Sequence, residues 1–280
     1  MFEWLKKQFH KEETPKEPVK QPPIIITVHG FGRRRMHEFD NLALWGKQDG
    51  YEIIQFDMYD LFDENDNEWM NWVQRAKDQV DFYHKQNRDI YLVGFSMGGV
   101  VASYLASIIP VKKLVLLAPA FNYINMEMIT DTITKSAISL WKNEEKEEIT
   151  IPKPFYTTFS ELIKNLKKSI SKVNCPVLIL HGDQDEVISV KSSLNAYEKI
   201  PHDRKRLILL HEGSHRILMN EKVNWEAYQF MKLFFEGLLL PEQKVEMAKD
   251  IMDDLLKQKQ ALDLVNQKYA EQKMTKEIKK

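Results

Sequence analysis

The sequence predicts an α/β fold: a mostly parallel sheet of about six strands, covered by helices on both faces. Three observations predict it. Short apolar, β-rich runs recur at Ile24–Val28, Glu52–Phe56, Ile90–Val93, Leu114–Leu117, Val177–Leu180 and Leu207–Leu210. They are nearly continuous in apolar residues and do not alternate, the pattern of strands buried on both faces. Helical spacing fills several intervals, at 68–86, 97–108 and 190–200, and strand, helix, strand in that order implies right-handed crossovers.

The flanks follow different rules. In residues 1–23, Phe2, Leu5 and Phe9 make one apolar side of a short helix with Trp4 nearby, and four prolines between Thr14 and Pro23 make an extended linker. Two turns bury little apolar area, which favours a loosely packed or frayed helix over a membrane-surface or docking helix. Residues 24–240 form the α/β domain. Between Ala120 and Cys175 some 55 residues pass without a strand, too long for a plain connection, and they read as a small helical lid over about 121–174. Trp225 to Leu239 is a strongly apolar helix suited to packing on the sheet. Residues 241–280 are a charged extension. Its apolar stripe is interrupted by Lys259 and Asn266, so it reads either as a solvated helix folded back on the domain or as a self-associating coiled coil.

Composition narrows the function. The chain has 280 residues and a formal charge of −1, with 40 basic residues scattered among 41 acidic ones, which argues against nucleic acid as a partner. The single cysteine, Cys175, forms no internal disulfide, fits a reducing compartment and reads as a packed thiol. No apolar run reaches the roughly 18 residues of a spanning helix, and Lys6 and Lys7 interrupt any secretory segment, so the expectation is a cytoplasmic protein without an integral membrane segment.

The chemistry gathers at strand ends. Gly94-Phe95-Ser96-Met97-Gly98 joins a strand to a helix with one serine between glycines. Such a turn reverses so sharply that the serine is strained and side chains two residues away would collide. Ser96 Oγ would then stand at the C-terminal edge of the sheet, where open α/β sheets place ligands. The N–H of Met97, at the positive end of the next helix, can donate to an oxyanion. After Ile24–Val28 comes His29-Gly30-Phe31-Gly32, whose Phe31 N–H is the candidate second donor, while His29 reads as a turn-stabilising histidine. After Val177–Leu180, Asp183, Asp185 and Glu186 compete to orient an imidazole; after Leu207–Leu210, His211 and His215 both qualify as general base.

The order serine, acid, histidine, each past a strand end, is that of the α/β-hydrolases. Residues 24 to about 239 resemble that superfamily, close in layout to small bacterial carboxylesterases and monoacylglycerol-lipase-like enzymes. The matching pieces are "VHGFG" at 28–32, "LVGFSMGG" at 92–99, "ILHGDQDEVI" at 179–188 and "EGSH" at 212–215. The resemblance implies a catalytic triad of Ser96, Asp185 and His215, with the Phe31 and Met97 amides as the oxyanion hole. It implies a serine hydrolase of short- to medium-chain or monoacylglycerol-like esters, with a small-molecule ester as partner and no metal or organic cofactor. Thioester hydrolysis, acyl transfer, C–C hydrolysis or a non-catalytic binding role are the alternatives on the same scaffold. Phe95, Met126, Ile129 and Trp141, with Met128 and Ile133, suit an apolar acyl chain or, equally, the packing of a helical core. The chain departs from the pattern twice. No room is left for an antiparallel hairpin before Ile24, and "DMYDLFDENDNEW" at 57–69 replaces a turn, reading as a solvated acidic loop and not as a calcium site. Arg33–Arg35, just past the oxyanion loop, read as exposed, with attraction of an anionic substrate group as the sharper alternative.

Overall fold

Ile24, Ile26 and Val28 point to one side of their strand and Ile25 to the other, and all are fully buried, so both faces of this strand are covered. The computed structural model describes residues 22–122 and 151–239. Six strands, β1 (Ile24–Val28), β2 (Glu52–Ile54), β3 (Ile90–Phe95), β4 (Lys113–Leu117), β5 (Val177–Gly182) and β6 (Lys205–Leu210), form one sheet in the order β2-β1-β3-β4-β5-β6. Every neighbouring pair is parallel. The chain leaves β1 on one side for β2 and returns on the other for β3. The strand order therefore reverses at the β1/β3 boundary, where open sheets leave a crevice.

The helices divide between the faces according to the pleat. Leu92, Leu114, Leu116, Val177 and Ile179 share a core with α2 (Trp69–Lys85), α3 (Met97–Ile108), α4 (Lys153–Leu166) and α5 (Lys191–Lys199). Val93, Val115, Leu117, Leu178 and Leu180 pack on the other side against α1 (Asp40–Gln48) and α6 (Asn224–Phe235). Each fully buried aliphatic side chain contributes roughly 1.5–3 kcal/mol. Helix α3 is buried on most of its surface, with Val100, Val101, Ala102 and Leu105 inaccessible, as a helix at the centre of a layer must be. Cys175 is buried, and burial pushes its thiol up to about 12, which keeps it protonated and inert.

Several expectations need correction. The strands at the sheet edges are not covered on both faces: β2 is partly exposed, and Leu209 of β6 is exposed. The helix expected over Trp225–Leu239 ends at Phe235, followed by Gly237 with φ +85°, a left-handed residue that stops the helix. Arg33–Arg35 are half-buried and not exposed, and Arg35 pairs with Asp57 at 2.9 Å. The acidic stretch after Phe56 is only partly solvated. Asp66 is buried, where Arg75 donates to it at 2.7 Å and the Asp60 N–H at 2.8 Å. Within the expected lid, residues 151–174 hold α4 and a 3-10 turn, Ser169–Lys172, and α4 buries Phe155, Phe159 and Leu162 in the main core. Met126, Met128, Ile129, Ile133 and Trp141 lie outside the described residues, as do the tails at 1–21 and 240–280.

The contact between α3 and β1 is made by backbone. A Cβ at Gly98 would sit 1.9 Å from the Val28 carbonyl oxygen and 2.5 Å from that of His29. Relief requires moving main chain and not a flexible side chain, so Gly98→Ala is expected to destabilise the fold by at least about 3 kcal/mol, measured by denaturant unfolding.

Candidate active site

The strand β3 runs into α3 through Ser96, whose backbone lies at φ 52° and ψ −116°, a conformation rarely adopted outside glycine. Its neighbours hold it there. Ser96 N–H donates to the Leu117 carbonyl at 2.9 Å, and the Ser96 carbonyl accepts from Gly99 (3.0 Å) and Ala120 (3.1 Å). A Cβ at Gly94 would meet the Gly98 carbonyl oxygen at 2.5 Å and the Gly99 Cα at 2.7 Å, so the turn closes only with glycine before the serine. The first turn of α3 carries no acidic residue, which leaves its positive end uncompensated beside the hydroxyl.

Two loops past β5 and β6 meet this turn. His215 Nε2 lies 3.2 Å from Ser96 Oγ, and His215 Nδ1 lies 2.8 Å from Asp185 Oδ2. Ser96 and His215 are each 7 % exposed, and Asp185's side chain is fully buried. The loops approach through paired glycines, since a Cβ on Gly182 would lie 2.1 Å from the Gly213 carbonyl oxygen. Glu212, just before Gly213, has φ 61°. Glu186 accepts from the His215 N–H at 3.1 Å and pins the histidine's backbone.

The other candidates go elsewhere. Asp183 pairs with His211 at 2.8 Å, but the His211 side chain is 85 % exposed, so that pair lies on the surface. His29 is buried. Its Nδ1 lies 2.7 Å from the Gly30 carbonyl and its Nε2 accepts from the Met58 N–H at 2.8 Å, so it joins two loops as a neutral imidazole. Burial pushes its pKa down to about 4, against the opposing hydrogen bond to Gly30. Phe95 is buried, and its ring lies 4.9 Å from that of His215, packing under the imidazole. Met97 is buried at the first position of α3, and Phe31 lies in the loop after β1. Neither backbone N–H donates to another described residue.

Asp185 shows how a buried carboxylate stays charged. Burial by itself would raise its pKa, but the His215 imidazole, hydrogen bonds from His181 and His215, and the Ile188 N–H outweigh it, holding the carboxyl well below the usual carboxylate range. Oδ1 accepts from the N–H groups of Val187 (2.8 Å) and Ile188 (2.7 Å), while His181 Nε2 approaches Oδ2 at 3.1 Å. Ser193 Oγ at 2.6 Å from His181 Nδ1 fixes that second imidazole. His181 and Glu186 lie in the 179–188 stretch, where Glu186 competes as the acid, and the structure makes both of them supporting residues through contacts across the loop. Among the described residues, no group of three or more His, Cys, Asp or Glu could hold a metal ion. No helix among them is long and apolar enough to cross a membrane.

Comparison with known proteins finds similarity in sequence and in fold. The model of a family described as "Serine aminopeptidase, S33" matches residues 142–222. A Mycoplasma genitalium protein, named with the esterases and lipases, is 26% identical over 208 residues, covering 64% of this chain and 77% of its own length. The crystal structure of the Paleococcus ferrophilus monoacylglycerol lipase superposes with a TM-score of 0.59 at 14% identity, over 77% of this chain and 96% of that one. A soluble variant of the Saccharomyces cerevisiae monoglyceride lipase, solved with a substrate analogue, superposes with a TM-score of 0.60 at 17% identity, over 79% and 88%. With its parallel sheet and its strand-to-helix serine turn, the chain has the α/β-hydrolase fold and is similar to esterases and lipases of that fold.

Proposed function

We propose that this protein hydrolyses carboxylic esters of short- to medium-chain acids or monoacylglycerols, through an acyl-enzyme on Ser96. The observation that carries the reading is the continuous chain from Ser96 Oγ to His215 Nε2 (3.2 Å) and from His215 Nδ1 to Asp185 Oδ2 (2.8 Å). Asp185, charged and accepting at Oδ2, favours the tautomer with its proton on Nδ1, which leaves Nε2 free to take the serine proton. Ser96 Oγ attacks the acyl carbonyl as His215 receives that proton. The carbonyl oxygen becomes an oxyanion, and the N–H groups of Phe31 and Met97, which donate to no other described residue, are the donors assigned to it. His215 then returns the proton to the leaving alcohol, and water, deprotonated by the same imidazole, releases the acid.

The relatives are esterases and lipases, which supports an oxygen ester over the alternatives. The matched family's description names an aminopeptidase, so amide cleavage is the competing reading. Parallel assays on p-nitrophenyl esters of graded chain length, acyl-CoA and aminoacyl p-nitroanilides decide between them. Preferential anilide turnover would reassign the chain to peptide substrates, and preferential acyl-CoA turnover would make it a thioesterase.

Ser96→Ala is expected to abolish both fluorophosphonate labelling and ester turnover. Asp185→Asn is expected to lower kcat by about 10³–10⁴-fold, because the asparagine NH₂ facing His215 would hold the wrong tautomer. Asp183→Asn, on the surface pair, is expected to stay within about twofold of wild type. The reverse result for the two aspartates would exchange their roles.

The pH dependence of stability has a definite sign. Asp185 titrates below the ordinary carboxylate range in the folded protein, so its contribution is present above the unfolded pKa of about 3.9 and is lost as pH falls. The stability difference between wild type and Asp185→Asn is therefore expected to shrink from pH 5 towards pH 2, as read by urea unfolding at each pH.

A further inference from the structure

Tyr59 lies in the loop after β2, in the stretch 57–69 that reads as an acidic loop, yet its phenol is bonded within the Gly30–Gly32 loop after β1. The side chain is 1 % exposed. Its hydroxyl accepts from the Gly32 N–H at 2.8 Å and donates to the Gly32 carbonyl at 2.8 Å, with the Gly30 carbonyl farther off at 3.4 Å. A phenol has one proton, and the shorter contact claims it. Burial raises its pKa, so the hydroxyl remains a donor at any working pH.

The ring is held as firmly as the hydroxyl. It packs 4.4 Å from Trp72, edge-on to His29 at 5.0 Å and to Phe155 at 5.6 Å. The adjacent residue is anchored too, because the Met58 N–H donates to His29 and the Met58 carbonyl accepts from Arg75. Phe31 stacks on Phe159 at 4.9 Å, so its side chain is turned into the α4 layer. Between these anchors the Phe31–Gly32 peptide has little freedom. Its N–H, that of Gly32, is committed to the phenol, and the N–H of Phe31 is not committed to any described residue.

We propose that Tyr59 is a positioning residue for the reaction: its hydroxyl grips Gly32 at both N–H and carbonyl while His29 holds the Gly30 carbonyl, and fixing the residue after Phe31 in this way keeps the Phe31 N–H, on the adjoining Gly30–Phe31 peptide, aimed at the developing oxyanion. The inference rests on the ester-hydrolase reading above. Tyr59 touches no reacting atom; it acts through the loop. A donor displaced by a fraction of an ångström loses much of its value to the transition state and little of its value to substrate binding.

The test is Tyr59→Phe, which keeps the ring and removes the hydroxyl. Competent sites are counted by titration with a fluorophosphonate, and kcat is expressed per competent site on a p-nitrophenyl ester. The expected result is a fall in kcat of about 10–100-fold with KM within about threefold, since removal of a whole oxyanion donor costs about 10²–10³-fold. Affinity for an alkylboronic acid, which forms a tetrahedral adduct on the serine, is expected to weaken by a matching factor. Wild-type kcat per site, including the case where only the number of sites falls, overturns the proposal and leaves Tyr59 a packing residue.

Should Tyr59→Phe fail to fold, Tyr59→3,5-difluorotyrosine keeps the shape while its phenol ionises at lower pH. Its kcat is then expected to fall at alkaline pH where wild type does not, and an unchanged pH profile overturns the proposal. A wild type that neither labels nor hydrolyses esters removes the ester-hydrolase reading, and this inference with it.

Discussion

Helix α3 meets the end of β1 backbone to backbone, and the geometry of the site depends on that contact. Gly98 touches the Val28 and His29 carbonyls with no room for a side chain, which brings the N-terminus of the helix beside the loop after β1. Ser96 stands at the joint in a strained conformation, close against the loop after β1, where a Cβ on Gly30 would lie 3.2 Å from Ser96 Cβ. A strained serine persists only where its surroundings over-determine it. Here the Leu117, Gly99 and Ala120 hydrogen bonds and the buried sheet on either side do so. A wider spacing between α3 and β1 would relax the serine and separate the two backbone donors together.

The acid and the histidine are organised by a different force. Asp185 is a buried charge, and such a charge is stable only when every acceptor position is used. Two backbone N–H groups serve one oxygen, and two imidazoles converge on the other. The second imidazole, His181, takes no part in the line from Asp185 to Ser96, yet it approaches the same carboxylate oxygen as His215. Electrostatic satisfaction and orientation are here the same set of contacts.

Much of this was legible in the sequence because it depends on local patterns. All six strands and helices α2, α3 and α5 lie within a few residues of where periodicity puts them, and Gly94 and Gly98 announce a turn that no other residue permits. What failed at β2 and β6 is the expectation of burial on both faces, because a strand at a sheet edge is only partly covered. Periodicity missed α1, whose apolar face is narrow and whose start at Asp40 follows a 3-10 turn. Residue types alone left Asp183 level with Asp185 and His211 level with His215, since each pair differs in burial and not in chemistry. Tyr59 and Asp66 were invisible for a related reason. Both lie in a stretch that reads as an acidic loop, and their importance comes from partners brought near only by the fold.

The all-parallel sheet also imposes a schedule on synthesis. No strand here pairs with a sequence neighbour through a short hairpin, and Ser96 is separated from His215 by 119 residues. On a ribosome adding about 5–20 residues per second, the serine turn emerges roughly 6–24 s before the histidine that would activate it. During that interval β1, β3 and α3 can already assemble, but the hydroxyl has no base beside it. The contact between Ser96 and His215 can therefore form only once β6 and the loop after it have been made.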